Sequence, residues 1–316
     1  MSEIMVMGAG AFGGAMAVAL AQGGHAVRLW ARDPAQVALM AATQRHAGLD
    51  VPLPAGLAPT DDPAPKDAQA VLLCVPMQAL AAFLDEHGAA LAGRDVVACC
   101  KGLDLATGRG PAEIVAAAGA RPAVLTGPSF AAEIARGLPT ALTLAAPDGA
   151  EALQGRLATR ALRLYRTDDV AGAQIGGALK NVVAIACGAA IGAGLGESCR
   201  AALMTRGMAE TVRLAVALGA RPATLMGLSG MGDLALTCGS DLSRNFRYGR
   251  SLATKADWDP STTVEGAATA RAVLPVAEAH GVDMPVASVV AALVEGETDL
   301  AGAVRALLDR PLRDDA

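Results

Sequence analysis

The sequence predicts an α/β protein with a helix-covered parallel sheet in its first half and helices alone in its second. Three observations carry this. Up to about residue 168, short runs rich in Val, Ile and Leu alternate with helical patterns. Those runs are apolar throughout rather than at every second position, as expected of strands buried on both faces. Beyond Asp169 the strand signal fades, and 316 residues exceed what one typical core holds. The expected division is therefore 1–168 and 169–316.

Candidate strands lie at 4–7, 26–30, 70–75, 95–100 and 123–126, with helices between them at 12–22, 35–43, 77–91 and 111–118. The stretch 45–65, rich in Pro, Asp and Gly, reads as a loop with one short strand. Further strands at 140–145 and 162–165 close the first domain. Helices follow at 172–193, 200–218, 264–280, 286–295 and 300–308, and the tail 310–316 is expected to fray.

Composition excludes several function classes. A net charge of -5 and only 2 Trp, 2 Tyr and 4 Phe give neither the basic excess nor the stacking surface that nucleic acid requires. Cys74, Cys99, Cys100, Cys187, Cys199 and Cys238 form no C-x-x-C pair, and no two histidines have zinc-ligand spacing, so no metal is expected. They read as reduced thiols of a cytoplasmic protein. Met1 leads almost directly into a strand, which argues against a signal peptide. The apolar stretch 170–196 is interrupted by Lys180 and Asn181, and the remainder is shorter than the ~20 residues of a membrane span. It is read as a buried helix, without stable membrane insertion.

The first strand runs into Gly8-Ala9-Gly10-Ala11-Phe12-Gly13, a G-x-G-x-x-G between a strand and a helix. This is the Rossmann-type dinucleotide fingerprint: Gly8 for the tight turn, Gly10 for approach of a pyrophosphate, Gly13 for close packing of helix on strand. The helix N-terminus adds free N–H groups and partial positive charge. After the second strand stand Arg32 and Asp33. The acid has the offset that binds ribose hydroxyls; the arginine suits a 2′-phosphate. Both readings stay open.

Further along, several polar residues interrupt apolar surroundings. Lys101 follows a strand end, where open α/β sheets bind ligands. Gly127-Pro128-Ser129 repeats the arrangement at the next strand, with Pro128 near the first helical position and Ser129 as a cap. Lys180 is the one charge between Asp169 and Glu197, and Gly176 and Gly177 precede it by a turn, a costly choice unless something approaches closely. A lysine in apolar surroundings loses its proton more readily, as a proton carrier must. Asp233 sits in a glycine-rich turn, Ser243-Arg244-Asn245 supplies phosphate-binding donors, and Thr263-Val264-Glu265 starts a helix.

In chain order, GAGAFGGA, LWARD, KGLD, GPSFAAE, QIGGALKN, SGMGDL, SRN and VEG resemble bacterial NAD(P)-dependent glycerol-3-phosphate dehydrogenases over about residues 3 to 310. The resemblance implies a Rossmann domain and a helical domain with the active site between them, and reduction of dihydroxyacetone phosphate to sn-glycerol 3-phosphate with NADPH or NADH. It implies that Lys180 is the general acid/base, helped by Asp233. It gives Lys101, Gly127, Ser129, Lys180, Asp233, Ser243, Arg244 and Asn245 as substrate contacts. The cofactor contacts it implies, beside the glycines, are Ala11, Phe12, Arg32, Lys101, Ala131, Arg244, Thr263 and Glu265. The implied partner is thus a small phosphorylated molecule; a homodimer is compatible with the sequence. The chain departs from the family pattern at Ala11, Cys99-Cys100, Thr263 and the shortened stretch 44–54.

Overall fold

The computed structural model of the chain describes residues 3–46 and 48–308; the tail expected to fray lies outside them. Eight strands form one sheet: β1 (Glu3–Met7), β2 (Ala26–Trp30), β5 (Leu57–Thr60), β6 (Ala70–Leu73), β7 (Asp95–Ala98), β8 (Arg121–Thr126), β9 (Thr140–Ala145) and β10 (Leu162–Thr167). Their order is β10-β9-β8-β7-β6-β1-β2-β5. The order reverses at β1, which pairs with β2 on one side and β6 on the other. Such a reversal opens a crevice at the carboxyl ends of the strands. Helices α1 (Ala11–Gln22), α2 (Pro34–Thr43), α3 (Leu80–His87), α4 (Pro111–Ala117), α5 (Ala131–Ala135) and α6 (Ala150–Leu157) accompany it.

The sheet is not wholly parallel: β8 and β9 run antiparallel. The link between them, residues 127–139, holds only the five-residue α5, which packs on α1. Strand direction is illegible in strands that are apolar on both faces. The stretch 45–65 holds three short strands rather than one. Two of them, β3 (Arg45–His46) and β4 (Val51–Pro52), pair as a hairpin whose His46 packs against Gly14 of α1. The helix expected over 77–91 is a 3-10 turn, α3 and a second 3-10 turn beginning at Gly88. The helix expected from Pro128 starts at Ala131, because Gly127 has φ +140 and Phe130 is extended.

The second half is built on α7 (Val170–Gly192), followed by α8 (Gly196–Ala217), α9 (Pro222–Leu225), one turn of π-helix (Leu228–Gly232), α10 (Asp233–Cys238), α11 (Arg244–Thr254), α12 (Glu265–Ala279), α13 (Pro285–Glu295) and α14 (Leu300–Leu308). α7 is long and apolar enough to cross a membrane, yet 89% of its most apolar window is buried inside the fold. It packs against α8, α10, α11 and α12. Its contact with α11 is nearly backbone on backbone: a Cβ at Gly188 would stand 1.9 Å from the Phe246 carbonyl oxygen, and one at Gly249 2.0 Å from that of Ile185. Neither α10 nor α11 was expected. α11 buries Phe246 and Gly249 and packs Tyr248 and Leu252 half-buried beside them, in a segment otherwise dominated by Arg, Asn and Ser.

The N-terminus of α13 has no side-chain cap of its own. Glu210 of α8 supplies one, accepting from the backbone N–H groups of Val286 at 2.8 Å and Ala287 at 3.4 Å. Burial pushes its carboxyl from 4.5 up to about 7, although those two N–H groups pull the other way. An acid whose pKa is raised by folding contributes stability below its unfolded pKa and loses that contribution as pH rises through the folded value. The melting temperature should therefore fall between about pH 5 and about pH 8 by more in the native protein than in Glu210→Gln. Parallel melting curves for the two proteins would contradict the assignment.

Candidate active site

The glycine turn after β1 has the geometry its sequence demands. Gly8 has φ +116, and a Cβ there would meet the Cys74 carbonyl oxygen at 2.7 Å. A Cβ at Gly13 would stand 1.9 Å from the Gly8 carbonyl oxygen, so only glycine lets α1 sit this close to the strand. At Gly10 an added Cβ meets nothing within 4 Å. Gly10 and Ala11 are exposed, Phe12 is half-buried, and no side chain caps α1. An open backbone edge with uncapped helical N–H groups fits a pyrophosphate. At the end of β2, Asp33 caps α2 by accepting from Ala35 N–H at 2.9 Å. Arg32 is exposed beside it.

Across the crevice, Asp233 is fully buried at the start of α10 and is held by two lysines. Lys180 of α7 donates to its Oδ1 at 2.8 Å, and Lys101, just past β7, donates to Oδ2 at 2.6 Å. Lys180 donates also to Thr237 Oγ1 at 2.8 Å, and Lys101 to the Gly127 carbonyl at 3.1 Å. Lys180 is 9% exposed. Burial lowers its pKa to about 8; the Asp233 carboxylate opposes that shift and the Lys101 charge adds to it. The result is an ammonium group able to release and regain a proton near neutrality, placed where the end of the sheet meets the helices.

The paired glycines explain how α7 brings Lys180 there. A Cβ at Gly176 would meet the Ser229 carbonyl oxygen at 2.6 Å, and one at Gly177 would meet Thr126 Oγ1 at 2.5 Å. Thus α7 presses on the π-turn that presents Asp233 and on the end of β8. Single π-helical turns are uncommon and occur frequently at functional sites.

Other expected site residues divide by what they touch. Ser129 is no cap: its hydroxyl donates to the Gly127 carbonyl at 3.0 Å. Ser243 does cap a helix, accepting from Phe246 N–H at the start of α11. Asn245 donates to Asn181 Oδ1 at 2.9 Å and accepts from Gly266 N–H at 3.0 Å, tying α11 to α7 and α12. Arg244, at the first position of α11, is exposed. Glu265, at the first position of α12, accepts from Met77 N–H at 3.2 Å across the junction. Burial raises its pKa, partly offset by that N–H and by the charge of Arg244. Ala131 begins α5 half-buried, and Thr263 is exposed. Sequence reasoning missed Thr237. It lies four residues after Asp233 and shares its helix face, a signal visible only once α10 is known.

A dinucleotide turn facing a buried lysine–carboxylate pair across a sheet–helix junction defines a nicotinamide-dependent dehydrogenase. Comparison with known proteins narrows the class. Residues 3–152 match the family model described as NAD-dependent glycerol-3-phosphate dehydrogenase N-terminus, and residues 169–305 match its C-terminus counterpart. A glycerol-3-phosphate dehydrogenase (NAD(P)+) of Cereibacter sphaeroides is 59% identical, the match covering 99% of this chain and 100% of the relative. That of Paracoccus denitrificans is 56% identical with the same coverage. The crystal structure of glycerol-3-phosphate dehydrogenase from Coxiella burnetii superposes with a TM-score of 0.92 at 33% identity, over 98% of this chain and 99% of that one. The chain belongs to the NAD-dependent glycerol-3-phosphate dehydrogenase family.

Gly176→Ala should show how closely α7 must approach. Overpacking costs about 1–3 kcal/mol, so a lower melting temperature and slower turnover are expected. Gly155→Ala in α6, where an added Cβ meets nothing within 4 Å, should be neutral or slightly stabilising. Equal behaviour of the two variants would contradict the close contact.

Proposed function

We propose that the chain catalyses the reversible reduction of dihydroxyacetone phosphate to sn-glycerol 3-phosphate with NADH or NADPH, supplying glycerol phosphate for phospholipid synthesis. One observation carries the chemistry: Lys180, nearly buried, holds Asp233 at 2.8 Å beside a second lysine on the same carboxylate. When bound, the reduced nicotinamide supplies the hydride. Lys180 gives its proton to the oxygen that becomes the new hydroxyl, and takes one back in the reverse direction. A donor near pKa 8 suits both directions at neutral pH. Asp233 orients both ammonium groups. Two lysines against one carboxylate leave the site with a net positive charge, which stabilises negative charge as it develops on the ketone oxygen.

In this reading Lys101, Gly127, Ser129 and the segment Ser243, Arg244 and Asn245 hold the substrate. The exposed Arg244 guanidinium grips the phosphate, and that remote contact fixes the reacting carbon against Lys180. Gly8, Gly10, Ala11, Phe12, Gly13, Arg32, Lys101, Ala131, Arg244, Thr263 and Glu265 line the cofactor's path, with residues 1–168 forming the dinucleotide domain and 169–316 the helical one. The family's cofactors are NADH and NADPH. Arg32, exposed beside Asp33, is the group suited to a 2′-phosphate. Six free cysteines and a buried α7 support a cytoplasmic place for the enzyme.

Lys180→Met tests the proposal. Loss of general acid catalysis typically slows turnover about 10²–10⁴-fold. The variant should melt lower, because Asp233 loses one of its two lysine partners, yet still bind NADPH at the distant glycine turn. A folded variant with near-native turnover of dihydroxyacetone phosphate would refute the role. For the cofactor, Arg32→Ala should raise the KM for NADPH more than that for NADH; equal changes would remove Arg32 from the 2′-phosphate.

A further inference from the structure

Cys74 and Cys99 stand side by side under the glycine turn. β6 and β7 pair in parallel with Leu73 opposite Ala98, and Cys99 N–H continues the ladder by donating to the Leu73 carbonyl at 2.9 Å. The next pair in register is Cys74 and Cys99. Both side chains lie on the sheet face that packs against α1, whereas Cys100 lies on the opposite face. Strands are about 4.7–4.9 Å apart, within the Cα separation of about 4.4–6.8 Å that a disulfide accepts.

Their position gives the pair a consequence. Cys74 is the floor of the dinucleotide turn: its carbonyl oxygen is 2.7 Å from where a Gly8 Cβ would be, and its own Cβ 2.9 Å from where a Gly13 Cβ would be. Cys74, at the strand end beneath the glycine turn, and Cys199 of α8 are partly exposed, while Cys99, Cys100, Cys187 and Cys238 are buried. An oxidant entering the crevice thus meets Cys74 and finds Cys99 beside it.

We propose that Cys74 and Cys99 are a redox pair, in which a hydroperoxide oxidises Cys74 and the resulting disulfide closes the cofactor site. The Cys74 thiolate attacks the terminal peroxide oxygen, the O–O bond breaks, and Cys74 sulfenic acid and an alcohol (water, for hydrogen peroxide) form. The Cys99 sulfur then attacks the sulfenic sulfur. The S–S bond forms, the S–O bond breaks, and the hydroxide leaves as water with the Cys99 proton. Two thiols are oxidised by two electrons and one peroxide is reduced. Contact with Cys74, together with burial, raises the pKa of Cys99, which keeps it a thiol until the sulfenic acid is present. The Cβ atoms of a disulfide are about 3.5–4.5 Å apart, so closure draws Cys74 toward β7. Gly8 and Gly13 approach Cys74 so closely that a Cβ on either would clash with it, so a shift of Cys74 is passed directly to the turn. Transient disulfides of this kind are the ones a reducing compartment permits.

The inference rests on the glycine turn being the cofactor site, and its test reads the cross-link without cofactor. Cofactor-free protein is treated with hydrogen peroxide, its remaining thiols are alkylated, and its peptides are mapped by mass. A Cys74–Cys99 cross-link should form, with a loss of two hydrogens and reversal by dithiothreitol. Fluorescence titration of the oxidised protein should give a Kd for NADPH at least roughly tenfold higher. NADPH added first should slow the cross-link. Cys99→Ala should keep its activity before oxidation and stop at a dimedone-reactive sulfenic acid on Cys74. Absence of the cross-link, a cross-link elsewhere, or a Cys74–Cys99 disulfide with unchanged NADPH affinity would each overturn the proposal. The mapping of the native chain decides the matter even if Cys99→Ala fails to fold. An unoxidised protein that does not bind NADPH would instead overturn the cofactor assignment.

Discussion

The Asp233 carboxylate has no exposed surface, and a charge removed from water persists only if it is paired and hydrogen-bonded. Its two oxygens are each taken by a different lysine: Oδ2 by Lys101 from the end of β7, Oδ1 by Lys180 from α7. The pairing therefore binds the sheet half of the chain to the helical half at one point. Losing a partner of a buried ion pair typically costs about 3–5 kcal/mol. Two lysines on one carboxylate leave the cluster with a net positive charge, so in the proposed mechanism stability and chemistry depend on one contact.

Much of the helical half exists to deliver that contact. α7 carries Lys180 and is pressed against the π-turn through Gly176, against β8 through Gly177 and against α11 through Gly188. Asn181, the next residue, accepts from Asn245, whose own carbonyl accepts from the start of α12. Glu265 on α12 then reaches back to Met77 beyond β6. A closed path of backbone contacts and hydrogen bonds thus runs from the strand ends through the helices and back, and it fixes the lysine relative to the glycine turn. The cysteine pair under that turn lies outside this path.

The sequence made the backbone legible where chemistry and periodicity agreed. Gly8 and Gly13 are explained by a φ angle and by distances, Gly10 borders open space instead, and Lys180 stood out because charge is rare in an apolar helix. The two glycines before it pointed to a close approach, and that approach exists. What was not legible depended on tertiary partners. The antiparallel turn at β9 is invisible because strands buried on both faces read alike in either direction. α10 is only six residues long and α11 sets its apolar residues among three arginines, so neither stood out and Thr237 and the capping role of Ser243 were hidden with them. The Asp233–Lys101 pair spans 132 positions in the chain, and no local pattern reports it.

The pH dependence of turnover tests most directly whether Asp233 sets the protonation of Lys180. In the direction of ketone reduction the lysine must be an ammonium, so kcat at saturating substrate should fall as pH rises through about 8. Asp233→Asn keeps the size of the side chain and removes the charge that raises the lysine pKa. Its falling limb should move to lower pH, beyond any drop in the plateau rate. A limb at the same pH in both proteins would contradict the account, because the proton would then come from a group that the carboxylate does not govern.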